Sequence, residues 1–162
     1  MEKYSVNQVR ELLVANNQNQ PKAKYSNNVI LSMLDKVNES TVFEVEPTKK
    51  GFKLNRGTLV EEIVKAVLGV AVNKSYSNKA DIDLKGVDKN EFGIPTSAKK
   101  VEIKFATTFA PASASNPKTK YVILVTNEGA FLMDASKHEG RYTNYSAYDG
   151  ERMKKLSAKL GF

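Results

Sequence analysis

Cysteine is absent from this 162-residue sequence. Disulfides and thiolate metal centres are therefore excluded, and the composition suits a reducing compartment. Histidine occurs once, as His138 in Ser136-Lys137-His138-Glu139-Gly140. A lone imidazole beside a turn gives no pair for zinc, and it reads first as a surface residue. No Ser/His/Asp order stands out, and no glycine loop of the Walker type is present. No apolar stretch reaches membrane-spanning length, and no apolar run of the signal-peptide kind follows Met1-Glu2-Lys3-Tyr4. The expectation is a soluble, cytoplasmic protein in which any metal is held by oxygen ligands or by His138.

Acidic residues are also in deficit. Asp and Glu number 18 against 25 Lys and Arg, a net charge of +7 and a pI near 9.4. That balance favours polyanions and speeds their capture, although a basic surface kept for solubility reads the same way. The 41% hydrophobic and 27% charged content is ordinary for a globular chain. The length suits one domain, 1–162, with a single core. No repeat, low-complexity tract or linker interrupts it.

Along the chain, Ser5 is placed to cap a helix whose apolar side is Val6, Val9, Leu12 and Leu13. Asn16 to Pro21 reads as a polar break. A second helix is expected from about Ser26 to Val37, with Val29, Ile30, Met33 and Leu34 at helical spacing. Thr41 to Val45 alternates like a short strand ended by Pro47. The strongest helix opens at Arg56-Gly57-Thr58 and runs to Leu68, with Gly69 as its stop. Leu59, Val60, Ile63, Val64 and Val67 form its apolar stripe. Glu61 lies at the stripe's edge, whereas Glu62 is expected further round, toward water. Ala80 to Leu84 alternates, with Ile82 and Leu84 on one face and Asp81 and Asp83 on the other. Lys85 to Pro95 reads as a loop. Tyr121 to Val125 is a buried strand, turned at Glu128-Gly129 into Ala130 to Met133. A last helix is expected from about Gly150 to Leu160, with Met153, Leu156 and Leu160 inward.

The chemistry concentrates in Val101-Glu102-Ile103-Lys104-Phe105. On a strand, Glu102 and Lys104 share one face, so an acid and an ammonium stand side by side. The plain alternative is an exposed sheet face carrying an ion pair. Before this strand come the helix acid Glu61 and the aspartate strand. Several carboxylates around an open position can hold a hard divalent cation, which activates water and stabilises a leaving oxygen in phosphodiester hydrolysis. A lysine beside them orients the water or offsets charge in the transition state.

Arg56-Gly57-x-x-x-Glu61, Ala80-Asp81-Ile82-Asp83 and Glu102-Ile103-Lys104, in that order, resemble the PD-(D/E)XK nuclease superfamily, most closely its Holliday-junction resolvase-type members. The resemblance covers roughly residues 54–125. It implies an α/β (α+β) domain of the restriction-endonuclease-like kind, with a central mixed sheet flanked by helices. Residues 1–48 would be a helical N-terminal extension, 54–135 the catalytic core and 150–162 a C-terminal helix. By position, Asp81 and Glu102 would be metal ligands, Glu61 the helical acid supporting the metal, and Lys104 the catalytic lysine. Asp83 competes with Asp81, which is preferred because the family's aspartate tends to start its strand. No proline precedes this aspartate, where Lys79-Ala80 stands instead. The implied cofactor is Mg²⁺, with Mn²⁺ able to substitute. The implied activity is metal-dependent DNA cleavage selective for structure, with sequence-specific restriction or plain DNA binding as alternatives. DNA, duplex or branched, is the expected partner, and a homodimer would serve two symmetric cuts. Arg56, Lys118, Lys120, Arg141, Tyr145, Lys154 and Lys155 are the expected DNA contacts. Tyr145 and Arg141 belong to a tyrosine-rich patch with Tyr142, Asn144 and Tyr148 that is suited to stacking on bases or lying along a backbone. Each of these contacts, taken singly, also reads as a solvated surface.

Overall fold

Ser5 caps the first helix as its spacing requires. Its hydroxyl accepts from the backbone of Gln8, and the Gln8 side chain accepts from the backbone of Ser5, a reciprocal capping box. The computed structural model describes residues 2–45, 55–70, 81–107, 112–114, 121–134, 143–145 and 150–162. In chain order the elements begin with β1 (Glu2–Ser5), α1 (Val6–Asn19), a 3₁₀ turn (Pro21–Ala23), α2 (Lys24–Leu34) and β2 (Val42–Val45). They continue with α3 (Arg56–Leu68), β3 (Asp81–Asp83), α4 (Lys89–Phe92), β4 (Lys100–Phe105) and β5 (Ala112–Ala114). The last are β6 (Tyr121–Thr126), β7 (Gly129–Asp134), β8 (Thr143–Tyr145), β9 (Glu151–Arg152) and α5 (Lys154–Lys159).

The protein is a mixed α/β structure built on a five-stranded sheet in the order β3-β4-β6-β7-β9. β4 and β6 are parallel, and the other neighbours are antiparallel. β1 pairs with β2, and β5 with β8, as separate two-stranded ribbons. Strand alternation divides the apolar side chains of the central sheet. Ile82, Val101, Ile103, Ile123, Val125 and Ala130 join the main core, which also takes Val6, Val9 and Leu13 of α1, Ile30 and Met33 of α2, the stripe of α3, and Leu156 of α5. Val122, Leu124 and Met133 point to the other face, where Ala106 and Phe131 complete a smaller cluster. The N-terminal helices are therefore part of the same core as the sheet.

Three expectations change. The run from Asn16 is not a break, because α1 continues through Asn19 and Asn16 is buried. Its amide belongs to an inward network that offsets the cost of burying it. The segment 85–95 contains the short helix α4, capped by Asp88, whose carboxylate accepts from the backbone of Glu91. The C-terminal helix starts later than Gly150, since Glu151 and Arg152 pair with Leu132 and Phe131 as the sheet's last strand. Pro47, Asn73 to Lys79 and His138 lie outside the described residues.

The network around Asn16 joins three helices. Arg56 donates through Nε to Asn27 Oδ1 and through a terminal nitrogen to Asn16 Oδ1, both at 2.6 Å. Asn27 Nδ2 donates to Asn16 Oδ1 at 2.8 Å and to Asn17 Oδ1 at 2.9 Å. Burial pushes the Arg56 guanidinium below its ordinary pKa, yet an arginine so situated remains a cation. Asn27 is fully buried. Replacing it with alanine takes an acceptor from a charged donor and a donor from Asn17 Oδ1. Asn27→Ala is expected to cost about 2–3 kcal/mol, read in a thermal melt as a fall of about 5–10 °C in Tm.

Candidate active site

The helix that carries Glu61 is firmly bounded. Asn55 accepts from the backbone of Thr58 at 3.2 Å at its start, and Gly69 ends it at φ 74°. Leu59, Val60, Ile63, Val64 and Leu68 are buried, so Glu61, Glu62 and Lys65 are held along its edge. Lys65 Nζ lies 3.5 Å from Glu61 Oε1 and 3.0 Å from Glu62 Oε1. Glu62 is not the solvent-facing member of the pair. Its side chain is 11% exposed against 21% for Glu61, because Lys65 folds back over the i−3 as well as the i−4 position. Burial raises the Glu61 carboxyl above its ordinary pKa and Glu62 pushes the same way, while Lys65 and, less strongly, Lys104 oppose them. Lys104 therefore stands within electrostatic reach of the helix acid.

α3 packs against β4, whose Glu102 is 0% exposed. Lys104 Nζ is 3.1 Å from Glu102 Oε1, yet among the described residues neither oxygen of Glu102 has a hydrogen-bond partner. The ammonium is close enough for Coulombic attraction but is not aligned as a donor. This is no exposed ion pair on a solvated sheet face. A carboxylate taken wholly out of water without donors is costly unless something else neutralises it. Lys104 is the partner at hand, and it is itself only 27% exposed.

The aspartate strand is in register with this carboxylate. Asp81 stands opposite Glu102, and Asp83 opposite Lys100. Asp83 is exposed, and its Oδ1 accepts from the backbone of Lys85 at 2.9 Å, so it closes the turn that ends β3. Of the two aspartates, Asp81 is the one in register with Glu102. Its side chain lies outside the described residues, and among those described no three carboxylates or imidazoles gather into a metal-holding cluster. The two donor-free oxygens of Glu102 do fit a hard cation, which takes oxygen ligands and favours an ionised carboxylate.

The expected DNA contacts fall into three groups. Arg56 is bound by Asn16 and Asn27. Lys154 and Lys155 are exposed at the start of α5, which follows the edge strand at the other side of the sheet from β3. Lys118, Lys120 and Arg141 lie outside the described residues, as does the side chain of Tyr145, whose backbone pairs with Ala112.

One association was not foreseen. Ser26 Oγ and Thr107 Oγ1 are 2.8 Å apart, so the start of α2 meets the chain three residues beyond Lys104. No local pattern marks it, because the two hydroxyls are 81 residues apart in sequence. No family model, no curated protein and no solved structure matches the chain.

The raised pKa of Glu61 has a definite consequence for stability. The folded state holds this proton more tightly than the unfolded chain, so the contribution is present below the unfolded pKa and lost as pH rises through the folded one. At neutral pH an ionised Glu61 is therefore a net cost. Glu61→Gln is expected to raise Tm at pH 7, with the advantage vanishing in acid below the ordinary carboxylate range. Thermal melts of both proteins across pH check this, and an equal difference at every pH would contradict it.

Proposed function

We propose that this protein is a metal-dependent DNA endonuclease of the PD-(D/E)XK, restriction-endonuclease-like type. The observation that carries the reading is Glu102. It is a fully buried carboxylate with no donor on either oxygen among the described residues, beside Lys104 and opposite Asp81 in the ladder. A purely structural acid at the centre of a sheet would gain nothing from that placement, whereas functional sites commonly retain such locally unfavourable groups. The helix acid, the aspartate strand and the Glu-x-Lys strand are spatial neighbours as well as successive in sequence, which supports the same reading.

In this proposal Asp81 and Glu102 hold Mg²⁺, with Glu61 as the supporting acid. The bound cation would supply a more acidic water and charge neutralisation at the phosphate. Lys104 carries its ammonium beside the reacting phosphate, where it offsets developing negative charge and orients the attacking water. Lys65 keeps the two helix carboxylates from repelling one another. The low exposure of Glu102 and Lys104 limits competing hydration and strengthens these attractions. Resolvase-like selectivity for branched DNA is the first form of the activity, carried out by a homodimer so that two sites cut symmetrically.

The decisive experiment offers supercoiled plasmid, a four-way junction and linear duplex, each with Mg²⁺ or with EDTA. Symmetric cuts confined to the junction are expected. Discrete plasmid fragments would instead indicate sequence-specific restriction. Salt-sensitive binding without metal-dependent cutting would leave a non-catalytic DNA-binding protein. Glu102→Met should abolish cutting while leaving Tm unchanged or higher, because it replaces a buried charge by a group of similar length. Lys104→Ala should destabilise the fold by about 3–5 kcal/mol and so lower Tm, since it strands the Glu102 carboxylate. Lys104→Arg keeps the charge and the fold, and is expected to cut at least tenfold more slowly because the compact ammonium is lost. Millimolar Mg²⁺ should raise the Tm of the wild type but not of Glu102→Met.

A further inference from the structure

The segment 12–34 contains no acidic residue. Its connecting turn and the first residues of α2 expose Gln18, Asn19, Gln20, Lys22, Lys24 and Tyr25, the last with 55% of its surface in solvent. Two bonds attach the start of α2 to one end of the sheet, and a third ties it to α3. Ser26 meets Thr107, three residues beyond Lys104. Asn127 Nδ2 donates to the Tyr25 hydroxyl at 2.6 Å, and Asn127 lies in the turn after β6, the strand parallel to β4. Asn27 holds Arg56, five residues before Glu61 on α3.

These bonds fix where the exposed side chains stand. The ends of β4 and β6 that they reach are the C-terminal ends, and β3, running antiparallel to β4, starts at that same end with Asp81. Lys104, Asp81 and the start of α2 therefore share one end of the sheet. Lys154 and Lys155 belong to α5, which follows the strand at the opposite edge. Glu128, exposed next to Asn127, is an acidic side chain at the margin of this region.

We infer that the turn between α1 and α2, with Lys22, Lys24 and Tyr25, is the surface on which DNA docks beside the phosphodiester to be cut. The inference rests on the nuclease reading, and it gives the N-terminal helices a task at the same site. Charge complementarity selects the occupant. Two exposed ammonium groups within an acid-free stretch attract a phosphate backbone, and the neighbouring amide and phenol groups suit its phosphate and sugar oxygens. α2 and α3 share the Arg56 network, so the docked strand is held relative to Glu61 by a rigid connection.

The test is equilibrium binding of a fluorescent four-way junction and a duplex in EDTA, over a series of salt concentrations. Lys22→Glu/Lys24→Glu is compared with Lys154→Glu/Lys155→Glu and with the wild type, with circular dichroism as a check on folding. The Lys22/Lys24 variant is expected to bind at least tenfold more weakly at 0.1 M salt, and the corresponding double alanine variant to lower the salt slope by about 2. The Lys154/Lys155 variant should change binding much less. An equal or greater loss in the Lys154/Lys155 variant would overturn the inference, as would poly-glutamate competing as well as unlabelled duplex. The two readings fail separately. Wild-type cutting with binding indifferent to Lys22 and Lys24 sinks only the docking surface. Binding that depends on them, in a protein that never cuts, sinks only the nuclease.

Discussion

The structure turns on one carboxylate that has been taken out of water. Glu102 occupies a central position of the sheet, flanked by β3 on one side and by β6 on the other, and among the described residues its oxygens have no hydrogen-bond donor. The Lys104 ammonium lies at ion-pair distance. Everything nearby has to tolerate that charge. The second face of the sheet keeps only a small apolar cluster at Val122, Leu124 and Met133, while the larger core gathers on the face from which Glu102 points away. The division leaves one face of β4 for packing and the other for charge, so the core does not have to enclose the acid within its densest part.

The helices impose the second constraint. α3 has to present a carboxylate edge without losing its grip on the core, and it does so with five buried aliphatic residues on one side and Lys65 linking Glu61 to Glu62 on the other. Its first residue, Arg56, is held by amides from α1 and α2. Amide oxygens accept from a guanidinium without bringing a second full charge inside. The result is an anchor that joins three helices through one guanidinium.

Much of this was legible in the sequence where a local cause fixed the outcome. The Ser5 cap, the span Arg56 to Leu68 with its Gly69 stop, and the β6–β7 hairpin follow from capping chemistry, glycine conformation and apolar periodicity. What escaped depends on partners distant in sequence. Asn16 reads as polar and helix-ending, and its burial rests on donors distant in sequence, Asn27 and, forty residues away, Arg56. Glu151 and Arg152 read as a helix start until the open edge of β7 claims their backbone. Glu62 reads as solvated on a helical wheel, which cannot represent a lysine folding back along the preceding turn of the edge. The candidate site divides in the same way. The residue types and their order are evident from the sequence, whereas the burial of Glu102 and the pairing of Asp81 with it are properties of the assembled sheet.

β3 is only three residues long, and its pairing is what brings Asp81 level with Glu102. So short a strand has few ladder bonds to hold its own alignment. Its far end is fixed by local bonds to the backbone: the Asp83 carboxylate accepts from the Lys85 amide, and the Leu84 amide donates to the Lys99 carbonyl. A slip of one residue would set an isoleucine against Glu102 and turn both aspartates toward the greasy side of the sheet. Over evolutionary time, then, insertions and deletions between β3 and β4 are confined to the exposed positions of that connection, because Val87, Phe92, Ile94 and Ala98 belong to the buried core. Those that disturb Asp83 to Lys85 or Lys99 would silence the site as surely as loss of an acid, although every acid remained in the sequence.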